Sequence, residues 1–412
     1  MIAYFRLAYL HLIGYKQNMK QIILICILLL LTTSCVEEYQ MPNFASGGFQ
    51  SELVIQGYIL SGEESVVYLS RTEPVYNEVS PLPIKNAKIN IIGQNGYESE
   101  QAEYNDEDDY YIIKAETLPS NSLYALRIEL DEEVYQSEFA AIIESPEIDE
   151  ISYKEQEDGI SIHLSTYADD NESRYYMWGY EEDWEFHASV NLLVPQEGVF
   201  IYNKNKYVFE NTKINPYYYC WGHRKSSNIH IYNTSNLQEN TVKDKRLLNI
   251  PVDDIRISYI YSILVKQWSL TPEAYTYFHT LEKMTENSGG LFQVMPSELR
   301  GNVYCISNPN IKVRGYITTA NVKTKRMFIH ASQFTNVFPT YDNCSLMFPP
   351  NPSYSGWQMS WMDQVNYYGA VVLSKLGNID NNSILYSNTC VDCTQTKGAT
   401  KKRPDFWPNN HE

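Results

Sequence analysis

The chain has 412 residues, 43% hydrophobic and 20% charged, which is enough apolar material for folded cores and excludes a wholly disordered chain. Its 32 basic and 50 acidic residues give a net charge of −18. This charge argues against a nucleic-acid-binding protein and against adsorption to anionic lipid, because both need clustered cations.

The N-terminus has the pattern of an export signal. Met19-Lys20 precede an apolar stretch from Ile22 to Leu31, and small residues then lead to Cys35. A short positive segment, about ten apolar residues and a small-residue cleavage point are typical of a secretory signal. The stretch is shorter than the about 20 residues that a spanning helix needs. We therefore predict that residues 1–34 are a signal peptide, with Met19 as the candidate true start.

A signal that ends at a cysteine is similar to a bacterial lipoprotein signal, which makes Cys35 the candidate lipidation site and residues 35–50 a tether. Acyl chains anchor a protein by burying CH₂ groups, at about 0.8 kcal/mol each. Glu37 and Glu38 follow, and acidic residues there are similar to the sorting signal of Bacteroidota-type surface lipoproteins. We expect a lipid anchor in the outer membrane and surface exposure, with the periplasmic face as the alternative. A plain secretory signal with an unmodified Cys35 is the rival interpretation.

Residues 51–145 read as a β-sandwich. Apolar and polar residues alternate from Ala87 to Ile91 and from Tyr124 to Leu130, and period two with one polar face marks half-buried antiparallel strands. Turn signals such as Ser61-Gly62 and Asn95-Gly96 separate the strands. Short strands at this spacing predict an immunoglobulin- or transthyretin-like sandwich. The other candidate strands are Leu53–Leu60, Val66–Leu69, Tyr110–Lys114 and Val134–Phe139.

Residues 146–412 predict a second, larger sandwich with a partly helical insertion at about 185–300. Strands are indicated at Ile160–Leu164 and Tyr175–Trp184, and again at Lys312–Thr318, Met327–Ala331 and Ala370–Leu373. The fold class is therefore mainly β, with tandem β-sandwiches.

One helix is predicted near residues 271–288 of that insertion. Thr271 is a favourable N-cap, Pro272 suits the first helical position, and Glu273 complements the helix dipole. Gly289-Gly290 would end it. Its apolar stripe predicts a face that packs on the core: Ala274, Tyr277, Phe278, Leu281 and Met284.

The exported chain offers five cysteines for disulfides, and because five is odd at least one stays free or pairs outside the chain. Cys390 and Cys393 form a C-x-x-C motif, which is compatible with a structural disulfide, a zinc site or a redox pair. The redox pair lacks a following helix, and zinc lacks two further ligands. We predict structural disulfides and leave the pairing open. The candidates are Cys220, Cys305, Cys344, Cys390 and Cys393.

Tyrosine is unusually frequent, with 35 residues. Tyr and Trp give rigid, amphipathic contact area that suits glycans or proteins, but they are also ordinary strand residues. A candidate binding surface is the cluster Tyr217, Tyr218, Tyr219 and Trp221.

No catalytic template is recognisable, and neither a metal site nor a cofactor is predicted. The zincin, Ser-hydrolase-elbow and phosphate-loop spacings are absent from the sequence. The acidic run Asp106–Asp109 fails the EF-hand pattern and is interpreted as a solvated hairpin turn. Carboxylates are abundant, so a glycosidase-like pair stays open, because only their separation in space decides it.

Several segments, in this order, resemble the family of domain of unknown function 4249. They are Val54–Tyr58, Val67–Thr72, Ser269–Tyr275, Gly289–Phe292, Gly301–Val303, Val313–Tyr316, Cys390–Cys393 and Arg403–Trp407. The resemblance implies a lipoprotein of Bacteroidota-type outer membranes, often encoded beside TonB-dependent transporters. It implies no activity.

The leading hypothesis is a non-enzymatic binding or accessory module that partners a TonB-dependent transporter and helps to capture a glycan or peptide ligand. The first alternative is a hydrolase of surface polymers such as glycans, and the second is an adhesion or envelope structural module. No nucleic-acid partner is expected.

Overall fold

Strands dominate the computed structural model of the chain, which describes residues 51–72, 83–114, 116–169, 173–189, 200–202, 206–208, 217–226, 230–286, 299, 301–339, 344, 346–347, 370–373 and 384–408. The predicted signal peptide and the whole tether, with Cys35, lie outside these residues. Within the described part, no helix combines the length and apolar character needed to cross a bilayer. Residues Glu52–Glu412 form one compact unit.

The N-terminal strands follow the alternation of the sequence closely. Leu53, Ile55 and Ile59 are buried on one face of the first strand, while Tyr58 lies on the other. The eight strands described between residues 51 and 147 are β1 (Leu53–Ser61), β2 (Ser65–Arg71), β3 (Lys88–Gly93), β4 (Glu103–Asn105), β5 (Tyr110–Ile113), β6 (Leu123–Leu130), β7 (Glu133–Ser137) and β8 (Ala140–Ala141).

The second region has longer strands and the predicted helix. Residues 241–251 and 260–269, assigned above to an insertion, are long strands here. Described strands are β9 (Ile148–Gln156), β10 (Gly159–Tyr167), β11 (Tyr175–His187), β12 (Phe200–Tyr202), β13 (Lys206–Val208), β14 (Tyr219–Lys225), β15 (His230–Asn233), β16 (Thr241–Pro251) and β17 (Ile260–Ser269).

Helix α1 (Pro272–Glu286) begins as its sequence predicts, because Thr271 Oγ1 accepts a hydrogen bond from Ala274 N at 3.0 Å. Further along the chain are β18 (Val303–Cys305), β19 (Val313–Arg314), β20 (Ile317–His330), β21 (Leu346–Met347), β22 (Ala370–Leu373), β23 (Ile384–Ser387) and a short helix, α2 (Asn388–Val391).

One large sheet connects the two regions, in the order β14-β11-β17-β20-β1-β2-β5-β4. Strand β20 lies at its centre, parallel to β1 and antiparallel to β17. A sheet of order β18-β7-β6-β3 encloses the first core with β1, β2 and β5, and a sheet of order β16-β10-β9 encloses the second with β11, β17 and β20. Two β-sandwiches thus share one sheet, and the predicted mainly β, tandem-sandwich class is confirmed. The domain boundary at residue 145 stays a prediction.

The first sandwich is completed by residues from the far end of the sequence. Val303, Cys305 and Ile317 lie in the first core, and β18 pairs with β7. Gly315, between β19 and β20, lies against the backbone of β1. Its φ is +111°, and an added Cβ there would lie 1.8 Å from the carbonyl oxygen of Ile55. A side chain here is therefore strained both by backbone conformation and by contact with a strand.

We expect Gly315→Ala to lower the free energy of unfolding by about 2 kcal/mol or more. The matched control is Gly96→Ala, where φ is +83° but an added Cβ meets nothing within 4 Å. In that control, alanine only has to adopt the left-handed backbone conformation, which costs about 1 kcal/mol of stability. Urea unfolding of both variants separates the two effects, and equal losses would contradict the close approach.

Candidate ligand-binding site

The large sheet curls until strands far apart in its order face each other. Lys225, at the end of β14, has its Nζ 3.2 Å from Asp108 Oδ2 in the turn between β4 and β5, and it donates to Tyr110 Oη at 3.3 Å. The curl encloses a pocket of about 340 Å³. Because clefts that hold small molecules begin at about 300 Å³, this pocket is the candidate site.

The pocket lies on the face of the sheet opposite the two cores. Strand alternation puts Tyr58 of β1 and Tyr68 of β2 on this face, and β17 contributes Trp268. Helix α1 covers the neighbouring part of the same face, where Leu270, Ala274, Tyr277 and Phe278 pack with Trp268. The helix therefore closes one end of this face, and the pocket remains beside it.

Aromatic rings form both long walls. Tyr58 stacks on Trp268 with ring centroids 5.5 Å apart and planes 13° apart, and Tyr68 meets Tyr110 edge-on at 5.3 Å. Gly179 makes room for the indole, because a Cβ there would lie 3.0 Å from its ring. Such pairs add about 0.5–1.5 kcal/mol beyond the area that they bury, so the walls are preorganised.

Two tyrosines of the pocket stay protonated over an extended pH range. Burial, with a smaller contribution from Tyr68, raises the pKa of Tyr58 to about 12. Burial also raises the pKa of Tyr68, although 44% of that residue is exposed. Trp268 is 8% exposed, and its Nε1 has no hydrogen-bond partner among the described residues. The walls therefore present neutral, polarisable rings at physiological pH.

Both lysines that line the pocket are paired with carboxylates. Lys266 Nζ lies 2.7 Å from Glu181 Oε1, and Lys225 is held by Asp108 and Tyr110. Burial opposes the charge of Lys225, but hydrogen bonds from its ammonium to Tyr110 and Asp108 outweigh burial and raise its pKa. Asp108 thus has a definite partner, while the run Asp106–Asp109 does form the predicted hairpin turn between β4 and β5.

A buried charge network supports the strand that floors the pocket. Glu182 of β11 is 0% exposed and faces the second core, where Arg256 donates to its Oε1 at 2.6 Å and Tyr261 at 2.8 Å. Arg224 donates to its other oxygen. Arg256 also binds Asp254 through two nitrogens. Because each carboxylate oxygen of Glu182 has a donor, the charge is compensated inside the fold.

Asp183, the residue after Glu182 on β11, points to the pocket face. His223 Nδ1 lies 2.7 Å from Asp183 Oδ1, and Arg326 donates to Asp183 Oδ2 at 3.1 Å. The hydrogen bond to Asp183 is the main reason that the pKa of His223 is raised. Burial works against the ionised Asp183, but His223 and Arg326 outweigh burial and lower its pKa.

The His223–Asp183 pair predicts a small pH-dependent stability. Since the folded-state pKa of His223 lies above the ordinary value, its contribution is complete below about pH 6.5 and disappears as the pH rises through the folded pKa. About half of the imidazole is exposed, so screening limits the contribution to less than about 1 kcal/mol. We expect His223→Gln to unfold at lower urea than the parent at pH 6, with the gap narrowing by pH 9. A gap that widens with pH would contradict the assignment.

The cysteines form two long-range disulfides. Cys220 bonds to Cys393, and Cys344 bonds to Cys390, while Cys305 is buried without a disulfide. The two cysteines of the C-x-x-C motif therefore each bind a distant partner. The Cys220–Cys393 bond joins the C-terminal segment to β14.

The predicted aromatic cluster lies beneath this C-terminal segment. Trp221 is 7% exposed and packs with Trp407, and its backbone pairs with Thr400. The backbone oxygens of Tyr217 and Tyr219 accept hydrogen bonds from Cys393 N and Lys401 Nζ, and Tyr218 stacks on His187 at 4.8 Å. A binding role for Tyr217, Tyr218, Tyr219 and Trp221 stays a prediction, and these contacts give the cluster a structural role.

No cluster of three or more potential metal ligands occurs among the described residues. The pocket residues Tyr58, Tyr68, Tyr110 and Trp268 were missed by the sequence analysis. Their only local signal is the alternation that places Tyr58 on the face opposite Ile55 and Ile59. Nothing local connects Tyr58 and Tyr68 with Trp268, which lies far along the chain.

Fold and site together define a β-sandwich protein with a ligand-sized aromatic pocket. The chain belongs to the family described as Domain of unknown function (DUF4249), whose model matches residues 37–326. This match confirms the resemblance noted in the sequence.

No curated protein matches the chain. Among solved structures, the chain is similar to a point mutant of Salmonella alpha-2-macroglobulin, at 10% identity and a TM-score of 0.18. That similarity covers 54% of this chain and 14% of the other.

Proposed function

We propose that this protein is a lipid-anchored binding module that captures a small ligand and serves a TonB-dependent transporter. The observation that carries the proposal is the pocket of about 340 Å³ between two aromatic walls, on a face that neither core uses. Ligand sites are typically concave, largely apolar and equipped with a few polar groups. The stacked Tyr58–Trp268 pair beside Lys225 and Glu181 has this composition.

The anchor is proposed from the sequence. Cys35 follows the signal-like stretch directly, and Glu37-Glu38 come next. The proposal places the protein in the outer membrane by lipid on Cys35, facing the cell surface. Radiolabelled palmitate should label the parent and not Cys35→Ala, and equal labelling would contradict the anchor.

The transporter partnership is proposed from the genomic context that the family resemblance implies. A stable complex of this kind buries more than about 1,000 Å² in total. The test is a pull-down of the tagged full chain from detergent-solubilised outer membrane, followed by mass spectrometry. We expect a TonB-dependent transporter in stoichiometric amount, and equal recovery with the pocket variant Tyr68→Leu. Recovery of the lipoprotein alone would contradict the partnership.

Glycan and peptide ligands both fit a pocket with tyrosine and tryptophan walls, since these rings offer apolar faces with polar edges. Binding of either, lost in Tyr68→Leu, would support the proposed capture role. Turnover of the bound molecule would instead favour the hydrolase hypothesis.

A further inference from the structure

Two carboxylates at the mouth of the pocket lack a counter-charge. Glu63 and Glu64 follow Gly62 in the turn between β1 and β2, and both line the pocket. Neither has an ion pair or hydrogen bond with any described residue. The other two carboxylates differ, because Glu181 is paired with Lys266 at 2.7 Å and Asp108 with Lys225 at 3.2 Å. The pocket therefore has uncompensated negative charge at one end.

The walls behind these carboxylates suit a cation. Tyr68 is 44% exposed, and its ring lies on the same sheet face as Tyr58. The face of an aromatic ring is electron-rich and attracts ammonium groups within about 6 Å. Because burial raises the pKa of both tyrosines, the phenols are retained as uncharged rings rather than phenolates.

The ammonium group of Lys225 shows how the pocket can hold a cation. Lys225 Nζ lies 5.6 Å from the centroid of Tyr110, where it contacts Asp108 and the Tyr110 hydroxyl. This is a complete ammonium site made of one carboxylate, one phenol and one ring. Glu63 and Glu64 line the same pocket, and no lysine of the described chain pairs with them.

An anionic ligand fits less well. The cations of the pocket are Lys225 and Lys266, and each is engaged by a carboxylate. An incoming anion would have to displace Asp108 or Glu181 from its lysine. It would also approach Glu63 and Glu64, which have the same sign.

We propose that the pocket binds a small organic cation, with its ammonium group beside the carboxylates of Glu63 and Glu64 and its apolar part against the aromatic walls of Tyr58, Tyr68 and Trp268. This inference rests on the proposed function, because it names the ligand class of the same pocket. Cation–π contacts contribute about 0.5–2 kcal/mol each, depending on desolvation.

The test is calorimetric titration of the full chain in detergent with choline and with 3,3-dimethylbutan-1-ol, which has the same shape without the charge. We expect choline to bind at least about tenfold more tightly, in line with one desolvated cation–π contact. Glu63→Gln/Glu64→Gln should weaken choline about fivefold, the effect of two exposed charges. The control Asp149→Asn/Glu150→Gln removes two adjacent exposed acids on β9 and should leave the affinity unchanged.

The variant Tyr68→Leu keeps an apolar side chain at an exposed position and should weaken choline about fivefold or more. Equal binding of choline and the alcohol would overturn the inference and leave the pocket as a binding site. Binding of maltose or cellobiose instead, lost in Tyr68→Leu, would overturn the ligand class and retain the capture function. If no probe binds while the transporter still co-purifies, the inference and the role of the pocket are both overturned, and only the partnership stands.

Discussion

Arg256→Met is expected to lower the free energy of unfolding by about 3–5 kcal/mol, the usual cost of breaking a buried ion pair on one side. Arg256 is buried and donates to Glu182 at 2.6 Å. Without it, the buried carboxylate keeps only Tyr261 and the half-exposed Arg224. Asp254 also loses the hydrogen bonds that outweigh burial and hold its pKa below the usual value.

Two comparisons isolate the cause of this loss. Lys85→Met removes an exposed cation from Asp106 and should leave the urea midpoint unchanged. Arg256→Met/Glu182→Gln neutralises the stranded carboxylate and should be more stable than Arg256→Met alone, because the buried charge is gone. A double variant no more stable than the single one would show that the loss reflects packing rather than charge. The single variant should also lose stability without a change in the slope of ΔG against urea.

Removal of the Cys220–Cys393 disulfide has the second largest expected effect. The bond closes a loop with a sequence separation of 173, and cross-links of long loops typically contribute about 2–5 kcal/mol. Cys220→Ala/Cys393→Ala should therefore unfold at clearly lower urea than the parent. It should also loosen the C-terminal segment, where Trp407 Nε1 donates to Glu185 at 2.6 Å.

The matched control for the disulfide is Cys305→Ala, which removes a buried cysteine without breaking a disulfide. The stability difference between Cys305→Ala and the parent should be the same with and without reducing agent, because both keep the two disulfides and both are destabilised when these are reduced. Peptide mapping without reduction should recover Cys220 with Cys393 and Cys344 with Cys390. A Cys390–Cys393 bond in that map would contradict the pairing.

The strands that the sequence predicts are those with one polar face. β1 and β6 alternate because one side packs on a core and the other does not. Strand β17 was missed for the opposite reason, since it is buried on both faces and its apolar residues run together. Helix α1 was predicted well, because Thr271 and Pro272 are local signals that do not depend on the rest of the fold.

The candidate site could not be predicted in the same way. Tyr58, Tyr110 and Trp268 meet because the large sheet curls, and curvature arises from twist summed over many strands. The tyrosine run at 217–219 is dense in sequence, yet its neighbour Trp221 is buried below the C-terminal segment. Density of aromatic residues along the chain therefore did not predict the wall of the pocket.

A crystal structure of the full chain soaked with tetramethylarsonium, an arsenic analogue of a quaternary ammonium ion, would show directly whether the pocket holds an organic cation. Anomalous scattering from arsenic locates the cation without reference to its affinity. We expect one dominant peak in the pocket, beside the carboxylates of Glu63 and Glu64. Peaks only elsewhere on the acidic surface, with none in the pocket, would contradict it.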